Sequence, residues 1–148
     1  MKNTNLTDKL LHKDLSYRVV GCIYEVRNKY GSGQKEPVYQ NALAEEFEKK
    51  KIPFKREVSI RILSLDTGKS LGNYRLDFII DEKIVVEAKA MTYTPAKIAN
   101  QLYSYLRSTT YEVGYLVNFG STNLYIKRVI LTNDRKKQIR SIRNHSLN

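Results

Sequence analysis

In residues 75–90, RLDFIIDEKIVVEAKA, two short apolar runs flank a polar turn, and Asp77, Glu87 and Lys89 stand inside those runs. Side chains of a strand alternate faces, so Glu87 and Lys89 share one face, with Val85 before them. If Asp81-Glu82-Lys83 forms a three-residue loop, Ile80 opposes Ile84, Ile79 opposes Val85 and Asp77 opposes Glu87. The Cβ atoms of such a pair lie roughly 4.5–5.5 Å apart. A two-residue loop would put the two acids on opposite faces, so the parity of this turn decides whether the pair exists. Carboxylates that close repel each other, and burial raises their pKa values further. A divalent cation bound by both, at about 2.0–2.6 Å, relieves that conflict. Lys89 would then face whatever the cation binds, able to stabilise charge on a phosphate or to hold an attacking water. The plain alternative is a solvated strand face whose charges pair with their neighbours.

Two polar residues on otherwise apolar helical stripes weigh against the plain alternative. Glu36, Tyr39, Leu43 and Phe47 recur at spacings of 3, 4 and 4, so an acid leads the face that should be buried. Gln101 shares a stripe with Ile98, Leu102 and Tyr105, which predicts an inward-facing amide just after the Glu87–Lys89 strand. A buried amide needs hydrogen-bond partners, and a site would supply them.

The elements that must position these residues follow from periodicity and breakers. Leu15, Val19, Ile23, Val26 and Tyr30 predict an amphipathic helix over about 7–30, ended by GSGQ. Pro37 suits the first turn of a second helix, which runs to about residue 51 before Ile52-Pro53. Strands are predicted over about 55–63, 73–80 and 84–91, then a helix over 94–108, then strands over 113–119 and 123–131. This order predicts an α/β domain with a central mixed β-sheet flanked by α-helices, over residues 1–132. Residues 133–148 read as a basic C-terminal tail, a short helix or frayed.

Composition narrows the partners. A chain of 148 residues suits one domain with a real core. Its apolar runs are far shorter than the ~20 residues needed to span a bilayer, and no signal-peptide block opens it. Cys22 stands alone, so no internal disulfide forms, and a cytoplasmic location is expected. The net charge is +11, of which the tail supplies +4 from five Lys/Arg against one acid. That field attracts polyanions such as nucleic acid. Eleven tyrosines and no tryptophan add aromatic surface that could stack on unpaired bases. Tyr103, Tyr105, Tyr111 and Tyr115 cluster in sequence near these residues, with Tyr105 the candidate for nucleic-acid contact, and Lys127, Arg128 and the tail cations are candidates for phosphate contacts.

Taken together, these residues resemble the PD-(D/E)XK nuclease superfamily: Asp77, then Glu87-Ala88-Lys89, behind a helix that bears Glu36. More narrowly, Gly33-Gln34-Lys35-Glu36-Pro37-Val38-Tyr39 resembles the motif that names the GxxExxY family. RLDFII, IVVEAKA, QLYSYLR and VGYLVNFG look like that family's blocks in the same order, so the resemblance spans about residues 12–131. It departs at Leu76, where the superfamily often carries proline. The resemblance implies a restriction-endonuclease-like core and phosphodiester hydrolysis with Mg²⁺ or Mn²⁺. It implies that Asp77, Glu87 and the Ala88 carbonyl hold the metal, and that Lys89 assists the attacking water or the phosphate. Glu36 would reach the metal directly or through water, and Gln101 would be an auxiliary site residue. Two other readings fit the same residues: a nucleic-acid-binding module without turnover, and a defence component that depends on a protein partner or a homodimer.

Overall fold

The computed structural model describes residues 11–132 together with 136, 141 and 142. Three helices and five strands follow in chain order: α1 (Lys13–Tyr30), α2 (Glu36–Lys49), β1 (Phe54–Leu63), β2 (Ser70–Ile80), β3 (Ile84–Lys89), α3 (Ala96–Arg107), β4 (Val113–Asn118) and β5 (Tyr125–Ile130). Each predicted element within these residues is present, most of them shorter than expected. The portions of the first helix and the tail predicted for residues 1–10, 133–135, 137–140 and 143–148 lie outside the described residues. Among the described residues no helix is long and apolar enough to cross a membrane.

The strands lie side by side in the order β1-β2-β3-β4-β5. Neighbours are antiparallel except β3 and β4, which are parallel and joined through α3. A parallel pair needs such a crossover, which explains the third helix. The β2–β3 connection is the three-residue loop expected, since Ile80 opposes Ile84, Ile79 opposes Val85 and Phe78 opposes Val86.

Each sheet face buries its own core. On one side α1 and α2 supply Val19, Ile23, Val26, Tyr39, Leu43 and Phe47 against Phe78, Ile80, Ile84, Val86 and Val117. On the other, α3 supplies Ala99, Leu102, Tyr105 and Leu106 against Leu76, Ile79, Val85 and Leu116. Strand β4 is buried along its whole length, as expected of a strand covered on both faces.

The regular alternation of β2 breaks once, and the break falls on an acid. Phe78 and Ile80 belong to the α1–α2 core, yet Leu76 and Tyr74, of the same parity, pack on the α3 side. The inward face therefore changes sides at Asp77. In β1 the same reversal separates Phe54 from Val58 and Ile60. The ladder pairs Arg56 with Phe78 and Val58 with Leu76, so Glu57 stands across from Asp77. Glu57 has a φ of 52°, a left-handed conformation costing a non-glycine residue roughly 1–3 kcal/mol. That local strain is where the two-stranded arm turns over.

Candidate active site

The β2–β3 ladder ends at the Phe78–Val86 pair, and the acids stand just beyond it. There the strands diverge, β2 continuing with β1 and β3 with β4. Side chains take over from the missing ladder. The Asp77 backbone N–H donates to Glu87 Oε1 at 2.9 Å, and the Ala88 N–H donates to Asp77 Oδ2 at 2.9 Å. Each acid is thus held by the backbone of the opposite strand, and the two carboxylates meet in the gap. The three-residue turn brings the two acids to the same place, and this reciprocal clasp keeps them there.

Electrostatics make the gap a place of unmet charge. Glu87 is 5% exposed, and burial, followed by the neighbouring Asp77, pushes its carboxyl up to about 8. Burial raises Asp77 as well, against the opposing pull of the Ala88 N–H and Lys89. Lys89, half-buried two residues beyond Glu87, lowers both acids through its charge. Glu36 opens α2 and is half-buried, and its negative charge adds to the rise at Glu87.

Gln40 joins these groups, and sequence reasoning missed it. Its amide donates to Glu36 Oε2 at 3.3 Å and to the Ala88 carbonyl at 3.4 Å, and beside Asp77 it offsets part of the rise that burial imposes on that acid. The signal was available: Gln40 follows Glu36 by one helical turn and so shares its face. The loop ahead of Glu36 is fixed by Tyr39, which is fully buried. Its ring stacks on Phe119 at 4.6 Å, and its hydroxyl donates to the Gly31 carbonyl at 2.6 Å and accepts from the Gln34 N–H at 3.1 Å.

Asn118 was missed too, although an amide in the otherwise apolar VGYLV strand could have been noticed. It pairs with Lys89 in the β3–β4 register and is fully buried. Its Oδ1 accepts from the N–H groups of Met91 and Gly120, at 2.9 and 3.0 Å, and its Nδ2 donates to Thr94 Oγ1 at 2.8 Å. The chain leaving Lys89 is thereby tied to the end of β4.

Other expectations need correction. Gln101 is exposed, so its amide is not part of the buried stripe. The buried face of α3 is centred on Ala99, Leu102 and Leu106, which leaves position 101 on the rim. Tyr105 is buried against Tyr74, ring centroids 4.3 Å apart, so its faces are closed to bases. Burial and the charges of Glu87 and Asp77 raise its hydroxyl pKa, which makes it a wall of the acid site. Arg128 is half-buried and donates to the Leu11 carbonyl at 2.8 Å, anchoring the start of the described chain to β5. Lys127 is exposed, as a phosphate contact requires. Within the tail, Lys136 is buried and gives its ammonium to the carbonyls of Leu106, Thr109 and Tyr111, so it is not a phosphate ligand.

The residues fit a hard divalent cation. Asp77 and Glu87 each keep a second carboxylate oxygen that no backbone N–H of the clasp occupies, and the Ala88 carbonyl carries one long hydrogen bond. Three oxygen donors leave room for the waters that Mg²⁺ retains. Among the described residues no third His, Cys, Asp or Glu closes on the pair to make a protein-only cage.

A sequence model of the PD-(D/E)XK nuclease superfamily matches residues 13–129, most of the chain and all of this site. The chain belongs to the PD-(D/E)XK nuclease superfamily. Its five-stranded mixed sheet with flanking helices is consistent with the restriction-endonuclease-like fold of that superfamily. No curated protein and no solved structure matches the chain. In this chain Asp77, Glu87 and Lys89 stand where β2 and β3 part.

Proposed function

We propose that this protein is a divalent-metal-dependent nuclease of the GxxExxY type, hydrolysing phosphodiester bonds in DNA or RNA. The observation that carries this reading is the reciprocal clasp. Two acids are held side by side in a strand gap, each by the other strand's backbone, with Lys89 beside them and, among the described residues, no ion pair within 4.0 Å joining either acid to a side-chain cation. A fold seeking only stability would place apolar residues there, because unpaired buried charge is costly.

Asp77, Glu87 and the Ala88 carbonyl would hold Mg²⁺ or Mn²⁺. Bound there, the cation would neutralise the acids and polarise the phosphate. Lys89 supplies an ammonium that stabilises negative charge growing on the phosphate, or holds the attacking water in line. Gln40 keeps Asp77 and the Ala88 carbonyl oriented, and Glu36 adds a carboxylate that takes part through water. Lys127 contacts a phosphate further along the strand, and Gln101 stands at the rim of α3 as an auxiliary contact. The net charge of +11 draws the polyanion in.

The test is cleavage of single-stranded, duplex and branched DNA and RNA with Mg²⁺ or Mn²⁺. Lys89→Ala should slow cleavage by about 10²–10⁴-fold while circular dichroism and melting stay near wild type. Cleavage of no substrate, or a Lys89→Ala variant as fast as the wild type, overturns the proposal.

A further inference from the structure

The loop between β3 and α3, which follows directly on Lys89, presents an aromatic ring to water. Tyr93 is 69% exposed, four residues after Lys89. A loop offering a large ring to water is usually loose, but this one is tied at several points. The Lys89 carbonyl accepts from the Phe119 N–H at 2.8 Å, extending the β3–β4 pairing. Asn118 binds Met91 on one side of Tyr93 and Thr94 on the other. Gly120 lies so close that a Cβ there would stand 2.5 Å from the Met91 nitrogen and 2.7 Å from the Ala90 carbonyl carbon. Tyr93 therefore extends from a braced support rather than a free end.

Four residues span at most about 14 Å, roughly four rises of a nucleic-acid strand at 3.4 Å each. A ring so placed falls within reach of the bases flanking a phosphate held at Lys89. In the chain it lies between two lysines, the half-buried Lys89 at the end of β3 and the exposed Lys97 in the first turn of α3. An aromatic platform among cations is the arrangement that binds single strands, because each unpaired base offers a π-face. Bases within a duplex are already stacked on both faces and have none to offer.

We infer that Tyr93 is a base-stacking platform, and that the preferred ligand is a single-stranded or locally unpaired nucleic acid with a base beside the held phosphate. The inference rests on the proposed function for the position of the phosphate, and goes beyond it in naming the strand state of the substrate. Tyr105, the tyrosine favoured by the sequence, is buried and cannot serve.

The experiment uses the full chain carrying Asp77→Asn, so that binding is read without turnover, with Mg²⁺ present and a 2-aminopurine oligonucleotide as single strand or duplex. The single strand should bind with quenching of the 2-aminopurine. Adding Tyr93→Ala should remove the quench and weaken single-strand binding by about ten-fold or more. Tyr93→Phe should keep both within about two-fold, and duplex binding should be indifferent to either change. Unaltered single-strand binding by Tyr93→Ala, an equal loss in Tyr93→Phe, or an equal loss on duplex would each overturn the inference. The two proposals fail separately. A wild type that cuts nothing, yet stacks the probe through Tyr93, sinks the nuclease reading and leaves the platform. A wild type that cuts single strands, matched in rate by Tyr93→Ala, does the reverse.

Discussion

Lys136 and Glu87 are both nearly sealed from water, at 2% and 5% exposure, but the fold treats them in opposite ways. The Lys136 ammonium is met by three backbone carbonyls around the C-terminal end of α3, where helix carbonyls lack partners and the helix dipole favours a cation. Glu87 is met by one backbone N–H, and the neighbouring charge that acts on it most strongly is that of another acid. The ammonium is completed from within the chain; the carboxyl is left short of positive charge and keeps a proton instead. A deficit of that kind marks a place where something from outside is meant to fit, whereas burial alone does not.

The contrast can be broken from either side. Lys136→Met should have the largest effect on folding, because the carbonyls at the end of α3 lose a shared donor. A loss of about 3 kcal/mol in urea denaturation is expected, with cleavage per folded molecule unchanged. If the variant is as stable as the wild type, Lys136 is not the structural member of the pair.

Glu87 should behave in the opposite sense. Its folded-state pKa of about 8 exceeds the ordinary 4.5, so the fold holds a proton that the unfolded chain has released. Without metal, that contribution is fully present below about pH 4.5 and drains away as pH rises toward 8. Glu87→Gln cannot ionise, so it should melt like the wild type near pH 5 and be the more stable chain at pH 8–9, by on the order of 2 kcal/mol. Mg²⁺ should raise the wild-type Tm at pH 8 and leave the variant unmoved. A difference between the two chains that stays constant from pH 5 to 9 would contradict the charge deficit.

The smallest effect belongs to Gln40, a neutral residue that joins the acids without supplying charge. Gln40→Ala should change stability by less than about 1 kcal/mol, since its bonds are long. The Mg²⁺ concentration needed for half of the Tm rise should nevertheless increase roughly ten-fold, as for other residues that orient metal ligands. If that midpoint is unchanged, Gln40 is packing rather than support.

Much of this was legible in the amino-acid order because its causes are local. The turn Asp81-Glu82-Lys83 fixed parity and brought Asp77 and Glu87 together, and the 3-4-4 spacing from Glu36 to Phe47 named the buried side of α2. What stayed hidden depends on partners distant in sequence. Nothing at Glu57 or Asp77, neither glycine nor proline, signals that β1 and β2 turn over there. Lys136 looked like one more solvated cation because the carbonyls that receive it are 25–30 residues away. On the wheel of α3 only Gln101 departs from the expected stripe: the apolar arc is centred on Ala99, Leu102 and Leu106, which leaves the amide on the rim, while Tyr105 lies inside with its stripe and is thereby closed to bases.

Gly120 offers a check that needs no assay. Its carbonless face is pressed on the main chain of Ala90 and Met91, two positions after the strand that carries the lysine. Any side chain introduced there must push that turn away, and with it the far end of β3. Among sequences that keep this acid–acid–lysine arrangement, the position should therefore be closed to every larger residue, alanine included, however freely the surrounding surface drifts.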